Sequence, residues 1–436
     1  MKVLVVSCYE LGHQPLAAAN AAAQLRAAGH DVRVRDLALE EWDESFVDWA
    51  DKIAFSAPMH TAMRIARRAI EQVRSQRAEV DVAAFGLYAA MLDDVADQVL
   101  IGETDAALVA WVGGAEIDTP IALGREAASP GAPLPARDLL PSLEQYAHLA
   151  LGGDERVVGY VEASHGCAHR CEHCPVPVVY DGRIRIVDAD AVLADAAQQI
   201  EAGARHITFG DPDFLNGVHH SLRVVRALHE RFPDVTFDCT VKVEHILRFE
   251  DVWAEMAASG CLFVVSAFEC VDEPTLHRLR KGHTVPDMAR AVAILRAHNI
   301  EIRPTWMPFT PWTTLERLQV LLEFVAEHDL VGNVDPVQYT IRLLVPAGSL
   351  LLRHPAYAQT FGTFDAERGA HPWKHPDPVI DELQVRLAAL VEGRQTAGDD
   401  IGSIYNAVRE SCGLPQVQID AGATEGRPRL TEPWFC

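Results

Sequence analysis

The amino-acid sequence predicts an α/β protein that combines a doubly wound parallel sheet, a partial (β/α)6 barrel and a helical C-terminal extension. Three observations predict this class. Short apolar runs alternate with helical stretches over residues 1–112, and the same alternation returns over residues 155–345. Residues 113–154 lose the periodicity and include "REAASPGAPLPARDLLP", which is typical of a linker. Strands and helices in alternation favour parallel sheets covered by helices.

Composition restricts the classes of partner. The chain has 436 residues, and its net charge of −24 predicts a surface that repels nucleic acid and anionic membranes. No apolar run approaches the roughly 20 residues needed to cross a bilayer, and the start "MKVLVVSCYELGH" lacks a signal-peptide cleavage pattern. Nine cysteines without an export signal indicate reduced thiols. We therefore expect a cytoplasmic protein with metal or redox chemistry, and no nucleic-acid or membrane partner.

The first domain is expected to contain five strands: "KVLVV", "DVRVRDL", "KIAFSA", "VDVAAFGLY" and "QVLIGE". The segments "LAAANAAAQLRAAG" and "TAMRIARRAIEQVRSQ" are expected to be helices between them. Ligands of a doubly wound sheet bind at the carboxyl ends of its strands. Residues expected at those ends include Cys8, Met59, His60 and Tyr88.

The second series predicts six strands: "RVVGYVEAS", "HITFGD", "VTFDCTV", "LFVVSAFE", "EIRPTWMPF" and "VDPVQYTIRLL". Amphipathic segments such as "SLRVVRALHERF" separate them. A barrel of this kind keeps its chemistry at the C-terminal ends of the strands. Residues 346–436 then contain two helical pieces and the proline-bearing tail "RPRLTEPWFC".

Three cysteines follow the first barrel strand in "EASHGCAHRCEHCPVP": Cys167, Cys171 and Cys174. A structural zinc site needs four ligands, so zinc would require His169 or His173 as the fourth. Iron–sulfur clusters are normally held by four thiolates. Three thiolates on a four-iron cluster leave one iron open, which is a catalytic arrangement. The spacing therefore favours an open [4Fe-4S] cluster, with zinc as the alternative.

Cys-x-x-x-Cys-x-x-Cys on the loop after the first strand of a partial barrel resembles the radical S-adenosylmethionine superfamily. The resemblance covers about residues 155–345 and implies that Cys167, Cys171 and Cys174 bind the cluster. It also implies that S-adenosylmethionine chelates the open iron. An electron from a reductant such as flavodoxin or ferredoxin would then cleave the sulfonium. Family members usually carry an aromatic or aliphatic residue before the last cysteine, where this chain has His173, which can stack on adenine or tune the cluster.

Other rim residues are candidates by the same resemblance. It implies binding of S-adenosylmethionine by polar residues within or after the second to fifth strands: Asp211, Asp213, Lys242, Glu244, Ser266, Glu269 and Arg303. Asp213 can equally be a helix cap, and Glu244 a first-turn helix acid. Arg303 stands inside an apolar strand and must pair with a carboxylate, because an unpaired buried charge is costly. Lys281 is a candidate catalytic residue facing a small-molecule substrate, although long basic side chains are more often solvated.

The first domain, residues 1–112, resembles the cobalamin-binding domain that precedes the barrel in one subclass of the family. Many such domains ligate cobalt through the histidine of an Asp-x-His-x-x-Gly motif, and "YELGHQP" offers His13 without that motif. Radical members of the class commonly lack this histidine. A cobalamin between the rim loops of the first domain and the barrel mouth is therefore an expectation of the resemblance.

The tail carries a further resemblance. The segments "TEPWFC", "PMHTA", "PFTPWTTLE" and "VPAGSLLLRHP" resemble the bacterial radical proteins with a CUAEP or CCAEP tail. In that group a cysteine or selenocysteine follows directly after the position of Cys436, so the resemblance implies truncation at a selenocysteine codon, with a natural end as the alternative. We expect the tail to fold back toward the barrel mouth and to present Cys436 as a catalytic thiolate; the alternative is a disordered terminus.

These observations together predict a radical enzyme. It would cleave S-adenosylmethionine reductively and transfer a methyl or 3-amino-3-carboxypropyl group to an acceptor. A thiolate tail suits a soft acceptor such as a thiol, selenium or arsenic. The alternative is a non-catalytic sensor that binds a corrinoid or a metal and has kept the fold.

Overall fold

The computed structural model describes residues 1–117, 132–357, 359–420, 422, 424 and 426–432. The predicted catalytic Cys436 lies outside these residues. None of the helices built from the described residues is both long enough and apolar enough to cross a membrane.

The first domain is a five-stranded parallel sheet. Its strands are β1 (Lys2–Ser7), β2 (Asp31–Asp36), β3 (Lys52–Ser56), β4 (Asp81–Phe85) and β5 (Gln98–Leu100). Four helices connect or follow them: α1 (Leu16–Ala27), α2 (Glu44–Trp49), α3 (His60–Gln76) and α4 (Asp105–Val112). The strand order β2-β1-β3-β4-β5 reverses direction between β1 and β3, which makes that point the switch of a doubly wound fold. The predicted fold class of this domain is confirmed.

Helices cover both faces of this sheet because the central strands are apolar on both faces. One core packs Phe55, Met63 and Ile70 together, and the other packs Val5, Leu25 and Trp111. The carboxyl ends of the strands are left uncovered by these helices, as the connectivity of such a fold requires.

The second sheet begins within the predicted linker. Residues 137–139 and 143–145 form short 3₁₀ turns, and β6 (His148–Leu151) pairs antiparallel with β7 (Asp154–Val161). A small antiparallel hairpin of β8 (Ser164–Gly166) and β9 (Ile184–Ile186) then carries the cysteine loop and α5 (Val176–Tyr180).

The remaining strands are β10 (His206–Phe209), β11 (Thr236–Thr240), β12 (Cys261–Glu269), β13 (Glu301–Trp306) and β14 (Arg429–Leu430). The sheet has the order β13-β12-β11-β10-β7-β6-β14, in which β7 and β10 to β13 are parallel. Within the described residues the helices that accompany it are α6 (Ala189–Glu201), α7 (Val218–Arg231), α8 (Val243–Arg248), α9 (Trp253–Ala258), α10 (Glu273–Arg278), α11 (Val285–Ala297), α12 (Leu315–Glu327), α13 (Pro378–Thr396) and α14 (Ile401–Ser411). Further 3₁₀ turns lie at Ala89–Leu92, Phe214–Gly217, Glu250–Val252, Val331–Asn333, Pro336–Thr340, Leu350–Arg353 and Pro355–Tyr357.

The partial barrel is therefore confirmed, but its sixth strand differs from the prediction. Residues 336–340 of the predicted strand form a 3₁₀ turn, and one isolated parallel bridge joins Phe309 to Arg342. Pro336 cannot donate a ladder hydrogen bond. The side-chain oxygen of Gln338 accepts the main-chain N–H of Trp306 at 2.9 Å, so a side chain pairs with the edge of β13 where a sixth strand would have paired.

The C-terminal extension packs on the outside of the barrel. Leu383, Leu387 and Tyr405 from α13 and α14 join the barrel core. The tail then adds β14 antiparallel to β6, so β14 runs in the same direction as β7, toward the carboxyl ends of the barrel strands. Tyr9 donates a 2.9 Å hydrogen bond to the Glu432 carboxylate, which ties the tail to the first domain.

Arg137, in the first 3₁₀ turn of the linker, joins the two sheets. Its guanidinium donates to both carboxylate oxygens of Asp195 at 3.1 and 2.8 Å, and both side chains are 6% exposed. It also donates to the carbonyl of Gln14 at 2.9 Å and to the carbonyl of Tyr160 at 2.7 Å. One buried cation therefore holds the N-terminus of α1, β7 and α6 together.

Candidate active site at the barrel mouth

The cysteine loop is held at the barrel mouth by the β8–β9 hairpin. It begins at Gly166, whose φ of 75° and close approach both require glycine. A Cβ there would lie 2.4 Å from the carbonyl oxygen of Arg183 and 2.7 Å from the ring of Tyr180. The tight turn directs the chain into the segment that carries the three cysteines.

Cys167 and Cys171 are buried, and Cys174 is partly buried. Burial, and next the charge of Cys171, raises the pKa of the Cys174 thiol to about 12. A bound metal reverses this, because a coordinating thiol is deprotonated. Asn216 directs its amide nitrogen at the Cys167 sulfur over 3.6 Å.

The three sulfurs are not gathered for a single ion. Among the described residues, one group of three metal-ligating side chains has its ligand atoms within 4.8 Å of one another, and it contains none of these cysteines. A four-iron cluster spreads its thiolates around a cube, whereas a zinc ion draws its ligands to about 2.3 Å. The geometry is therefore unsuited to zinc on the three cysteines, and the three residues fit a cluster.

Buried Glu269 and Lys281 form an ionic group with the partly buried His173 beside this loop. The Glu269 carboxylate oxygen Oε1 lies 2.8 Å from Lys281 Nζ and 3.1 Å from His173 Nε2. Burial alone would raise the pKa of Glu269, but the charges of Lys281 and His173 hold it well below its usual range. Glu269 and the charges of Cys171 and Cys174 raise the pKa of Lys281 against the effect of burial. Lys281 is thus a fixed cation that faces the cluster ligands.

Glu269 also has an unusual backbone. Its φ is 65°, a left-handed conformation that is costly for a residue with a side chain, and it follows a register shift at the end of β12. Backbone strain of about 1–3 kcal/mol persists where surrounding contacts fix it and is frequent at functional sites.

The predicted cofactor residues occupy different environments. Asp211 is buried and accepts from Ser164 Oγ at 2.5 Å and from the N–H of Ala163 at 2.9 Å, and burial raises its pKa to about 7. Lys242 Nζ lies 3.5 Å from the carboxylate of Glu244 after β11.

Three other predicted residues have different surroundings. Arg303 donates to Asp335 at 2.9 Å and to the carbonyl of Pro428 at 3.1 Å, so its partner is a carboxylate of the protein. Ser266 is fully buried, and its hydroxyl has no hydrogen-bond partner among the described residues. Asp213 is also fully buried, beside His169 and His245.

A cavity of about 630 Å³ lies between the two sheets. The carboxyl ends of β1, β3, β4 and β5 form one wall, including Leu11, Met59, Leu87 and Glu103. The barrel mouth forms the other wall, including Tyr160, Glu162, His165, Gly210 and Val176. Gly166 and Val176, which flank the cysteine loop on either side, both line the cavity.

Of the rim residues expected to face a corrin, Met59 lines this cavity and three do not. Cys8 is fully buried in the core of the first domain. His60 Nε2 lies 2.6 Å from the carbonyl of Arg368, and its ring packs edge-on against Tyr88. The N-terminal wall instead presents apolar side chains and the carboxylates Glu10, Glu103 and Asp105.

His165 bridges the two walls. Its Nδ1 lies 3.0 Å from the Glu103 carboxylate, and its Nε2 lies 3.2 Å from the Glu162 carboxylate. These carboxylates raise the pKa of His165 well above its ordinary value, although burial alone would lower it. Tyr180 donates to Glu103 at 3.0 Å. Sequence analysis did not single out His165, and its place directly after the first barrel strand was the available signal.

Comparison with protein-family models gives two matches. Residues 2–112 match the B12 binding domain, and residues 161–325 match the Radical SAM superfamily. The first range coincides with the five-stranded sheet, and the second contains the cysteine loop and β10 to β13.

Two curated relatives align over most of the chain. The hopanoid C-3 methylase of Methylococcus capsulatus is 23% identical over 74% of this chain and 66% of the relative. The ribosomal protein uS12 methylthiotransferase RimO of Alkalilimnicola ehrlichii is 24% identical over 77% of this chain and 71% of the relative. The chain thus spans about two thirds of the length of these relatives.

Among solved structures, the cobalamin-dependent S-adenosylmethionine radical enzyme OxsB with aqua-cobalamin bound has the same fold. The TM-score is 0.69 at 13% identity, over 90% of this chain and 67% of that chain. Sheet order, cysteine loop and both family matches agree: the chain carries a Radical SAM superfamily domain behind a B12-binding domain.

Proposed function

We propose that this protein is a cobalamin-dependent radical SAM methyltransferase whose acceptor is a small molecule bound in the cavity between the two sheets. The observation that carries the proposal is the shared cavity. One wall is the switch-point edge of the B12-binding domain, and the other is the barrel mouth beside the cysteine loop. Both cofactors would therefore face the same cleft.

Cys167, Cys171 and Cys174 would hold the cluster, which supplies the electron that cleaves S-adenosylmethionine. Lys281 would offset the negative charge that three thiolates bring to a buried site, because it is a buried cation facing Cys171 and Cys174. Glu269 holds Lys281 Nζ and His173 Nε2 in place and leaves its second carboxylate oxygen for a ribose hydroxyl.

Residues after the neighbouring strands would complete the cofactor site. Lys242 suits the methionine carboxylate, and Glu244 suits a hydroxyl or the ammonium group. Binding roles for Asp211, Asp213, Ser266 and Arg303 stay predictions. The carboxylate of Asp211 is occupied by Ser164 and Ala163, and Arg303 has Asp335 as its partner.

The cavity suits a corrin that is held without a histidine from the first domain. A corrin, when bound, supplies a cobalt that accepts and donates a methyl group. The N-terminal wall offers Leu11, Met59 and Leu87 to its apolar face. Its polar rim offers carboxylates such as Glu103, which suit the amide side chains of a corrin as acceptors.

The test is anaerobic reconstitution of the full chain with iron and sulfide, followed by incubation with S-adenosylmethionine and a reductant. We expect about four irons per chain and cleavage of the cofactor. Cys171→Ala should lose both. Cys412→Ala, which changes a buried cysteine in the helical extension, should keep both. Unaltered iron content in Cys171→Ala would contradict the cluster assignment, and absence of cleavage in the reconstituted wild type would favour the non-catalytic sensor.

The two possible group transfers give different products from S-adenosylmethionine, so the products distinguish them. Methyl transfer leaves S-adenosylhomocysteine, and a radical step on the acceptor adds 5′-deoxyadenosine and methionine. Transfer of the 3-amino-3-carboxypropyl group leaves 5′-methylthioadenosine instead. The match to a B12-binding domain favours transfer of the methyl group. The proposed soft acceptor depends on Cys436, which lies outside the described residues, and stays a prediction.

A further inference from the structure

Three metal-ligating side chains converge beside the cysteine loop without being part of the cluster motif. His169 stands inside that motif, two residues from Cys167 and two from Cys171. Asp213 follows β10, and His245 lies in the first turn of α8 after β11. Three separate loops of the barrel mouth thus meet at one point.

The ligand atoms of this trio are spaced as the ligands of one ion are. Asp213 Oδ2 lies 2.8 Å from His245 Nδ1 and 3.5 Å from His169 Nε2. Two ligands on bonds of about 2.1 Å are separated by roughly 3.0–3.4 Å at octahedral or tetrahedral angles. Among the described residues, this is the group of three whose ligand atoms all lie within 4.8 Å of one another.

The contact between Asp213 and His245 lacks regular hydrogen-bond geometry. Asp213 is fully buried and His245 is 5% exposed, so unmet polar atoms here are costly. Asp213 Oδ2 and His245 Nδ1 lie 2.8 Å apart, yet neither atom has a hydrogen-bond partner among the described residues. The other oxygen of Asp213 accepts the N–H of Leu215 at 3.3 Å. This carboxylate oxygen and this imidazole nitrogen are both ligand atoms for a metal ion, and both are buried.

The two histidine rings are also in contact, 4.6 Å apart between centroids, with their Nε2 atoms at 3.3 Å. This contact needs no cation by itself, because one ring nitrogen can donate its hydrogen to the other. The ligand set for one ion is therefore His169 Nε2, His245 Nδ1 and Asp213 Oδ2.

We infer that His169, Asp213 and His245 form a mononuclear site for a divalent transition metal, with Zn²⁺ as the favoured ion. Two imidazoles and one carboxylate match its ligand preference and leave a position for water. The Glu244 carboxylate lies 3.6 Å from His169 Nδ1, where it suits the outer nitrogen of a metal-bound histidine. The ion would tie the cysteine loop to the loops after β10 and β11 and so position the cluster ligands.

Zinc content of the cluster-loaded chain tests this inference, because the cluster occupies the cysteines. Reconstituted protein is equilibrated with Zn²⁺, separated from free metal by gel filtration and analysed for zinc and iron by plasma mass spectrometry. We expect one zinc per chain in addition to the cluster iron. Asp213→Asn and His245→Gln should each weaken zinc binding by more than about 100-fold, because loss of a group that only hydrogen-bonds to a metal ligand can already cost about that much. His206→Gln is the matched control: His206 is fully buried with Nε2 2.9 Å from Asp238, outside the trio.

Zinc X-ray absorption of the wild type supplies a readout that does not depend on how the variants fold. Nitrogen and oxygen ligands alone support the site, whereas a sulfur shell near 2.3 Å would place the zinc on cysteine and overturn it. Absence of stoichiometric zinc in cluster-loaded wild type, or its retention in both Asp213→Asn and His245→Gln, also overturns it. These outcomes are independent of whether S-adenosylmethionine is cleaved, so the inference and the proposed function fail separately.

Discussion

Replacement of Arg137 by methionine removes the buried cation that links the two sheets. Methionine keeps much of the side-chain volume but none of the five N–H donors. Asp195 is left 4% exposed with Gln198 as its remaining side-chain donor, at 2.7 Å, and the carbonyls of Gln14 and Tyr160 each lose a donor. The cost therefore comes mainly from the buried charge and acceptors that are left behind.

The expected loss in the free energy of unfolding is about 3–5 kcal/mol, the range found when one partner of a buried ion pair is removed. Urea unfolding of the full chain, followed by circular dichroism, measures it. With a dependence on urea of about 3 kcal/mol per molar, the midpoint should fall by roughly 1 M or more. Replacing both partners, in Arg137→Met with Asp195→Leu, should recover most of the loss because no buried charge remains.

The adjacent residue supplies the control. Asp138 pairs with Arg26 at 2.9 Å, but the two side chains are 63% and 43% exposed. Arg26→Met should therefore cost less than about 1 kcal/mol. Equal midpoint shifts for Arg137→Met and Arg26→Met would refute the reasoning, since burial is the property in which the pairs differ.

Two further predictions concern the cavity. Gly210→Ala would place a Cβ 1.9 Å from the Tyr160 hydroxyl oxygen, so we expect Tyr160 to move and the retention of hydroxocobalamin, measured by visible absorption, to fall. Gly393→Ala is the control, because a Cβ at Gly393 would have no other atom within 4 Å, and this variant should retain the cobalamin fully. Equal retention by the two variants would contradict a corrin in this cavity. Burial raises the pKa of Glu10 to about 8, so the folded chain holds a proton that the unfolded chain releases near its ordinary value of 4.5. The free energy of unfolding should therefore fall between about pH 5 and pH 8 more steeply in the wild type than in Glu10→Gln. Urea midpoints measured across this pH range test the prediction. If the midpoints of the two proteins change with pH in parallel, Glu10 does not titrate in this range.

Local signals sufficed for much of the fold. Runs such as "KVLVV" and "LFVVSAFE" are apolar over a strand's length, and both form strands as predicted. The prediction of a sixth barrel strand was wrong because Pro336 has no N–H to donate, and the side chain of Gln338 instead accepts the main-chain N–H of Trp306. The apolar pattern of the sequence does not show that a side-chain hydrogen bond stands in place of strand pairing.

The candidate site likewise has one part that local sequence predicts and another part that depends on the folded chain. The cysteine spacing is local, so the sequence could indicate the cluster loop. The contact of His165 with Glu103 joins residues 62 positions apart on two domains, and no periodicity encodes it. The trio of His169, Asp213 and His245 likewise depends on how three loops meet. The sequence indicates Asp213 as a cofactor-binding residue or a helix cap. Its two histidine neighbours come from other segments of the chain and are close to it only in the folded protein.

The pairing of β14 with β6 has a consequence for synthesis. The bond from the N–H of His148 to the Thr431 hydroxyl joins residues 283 positions apart, so β6 emerges from the ribosome long before its partner. During that interval the nascent barrel presents an open sheet edge next to apolar Leu149, which is a template for wrong pairing. Chains interrupted before residue 429 would keep that edge. They are expected to be chaperone clients and to associate, even though their cluster loop and both parallel sheets have already been made.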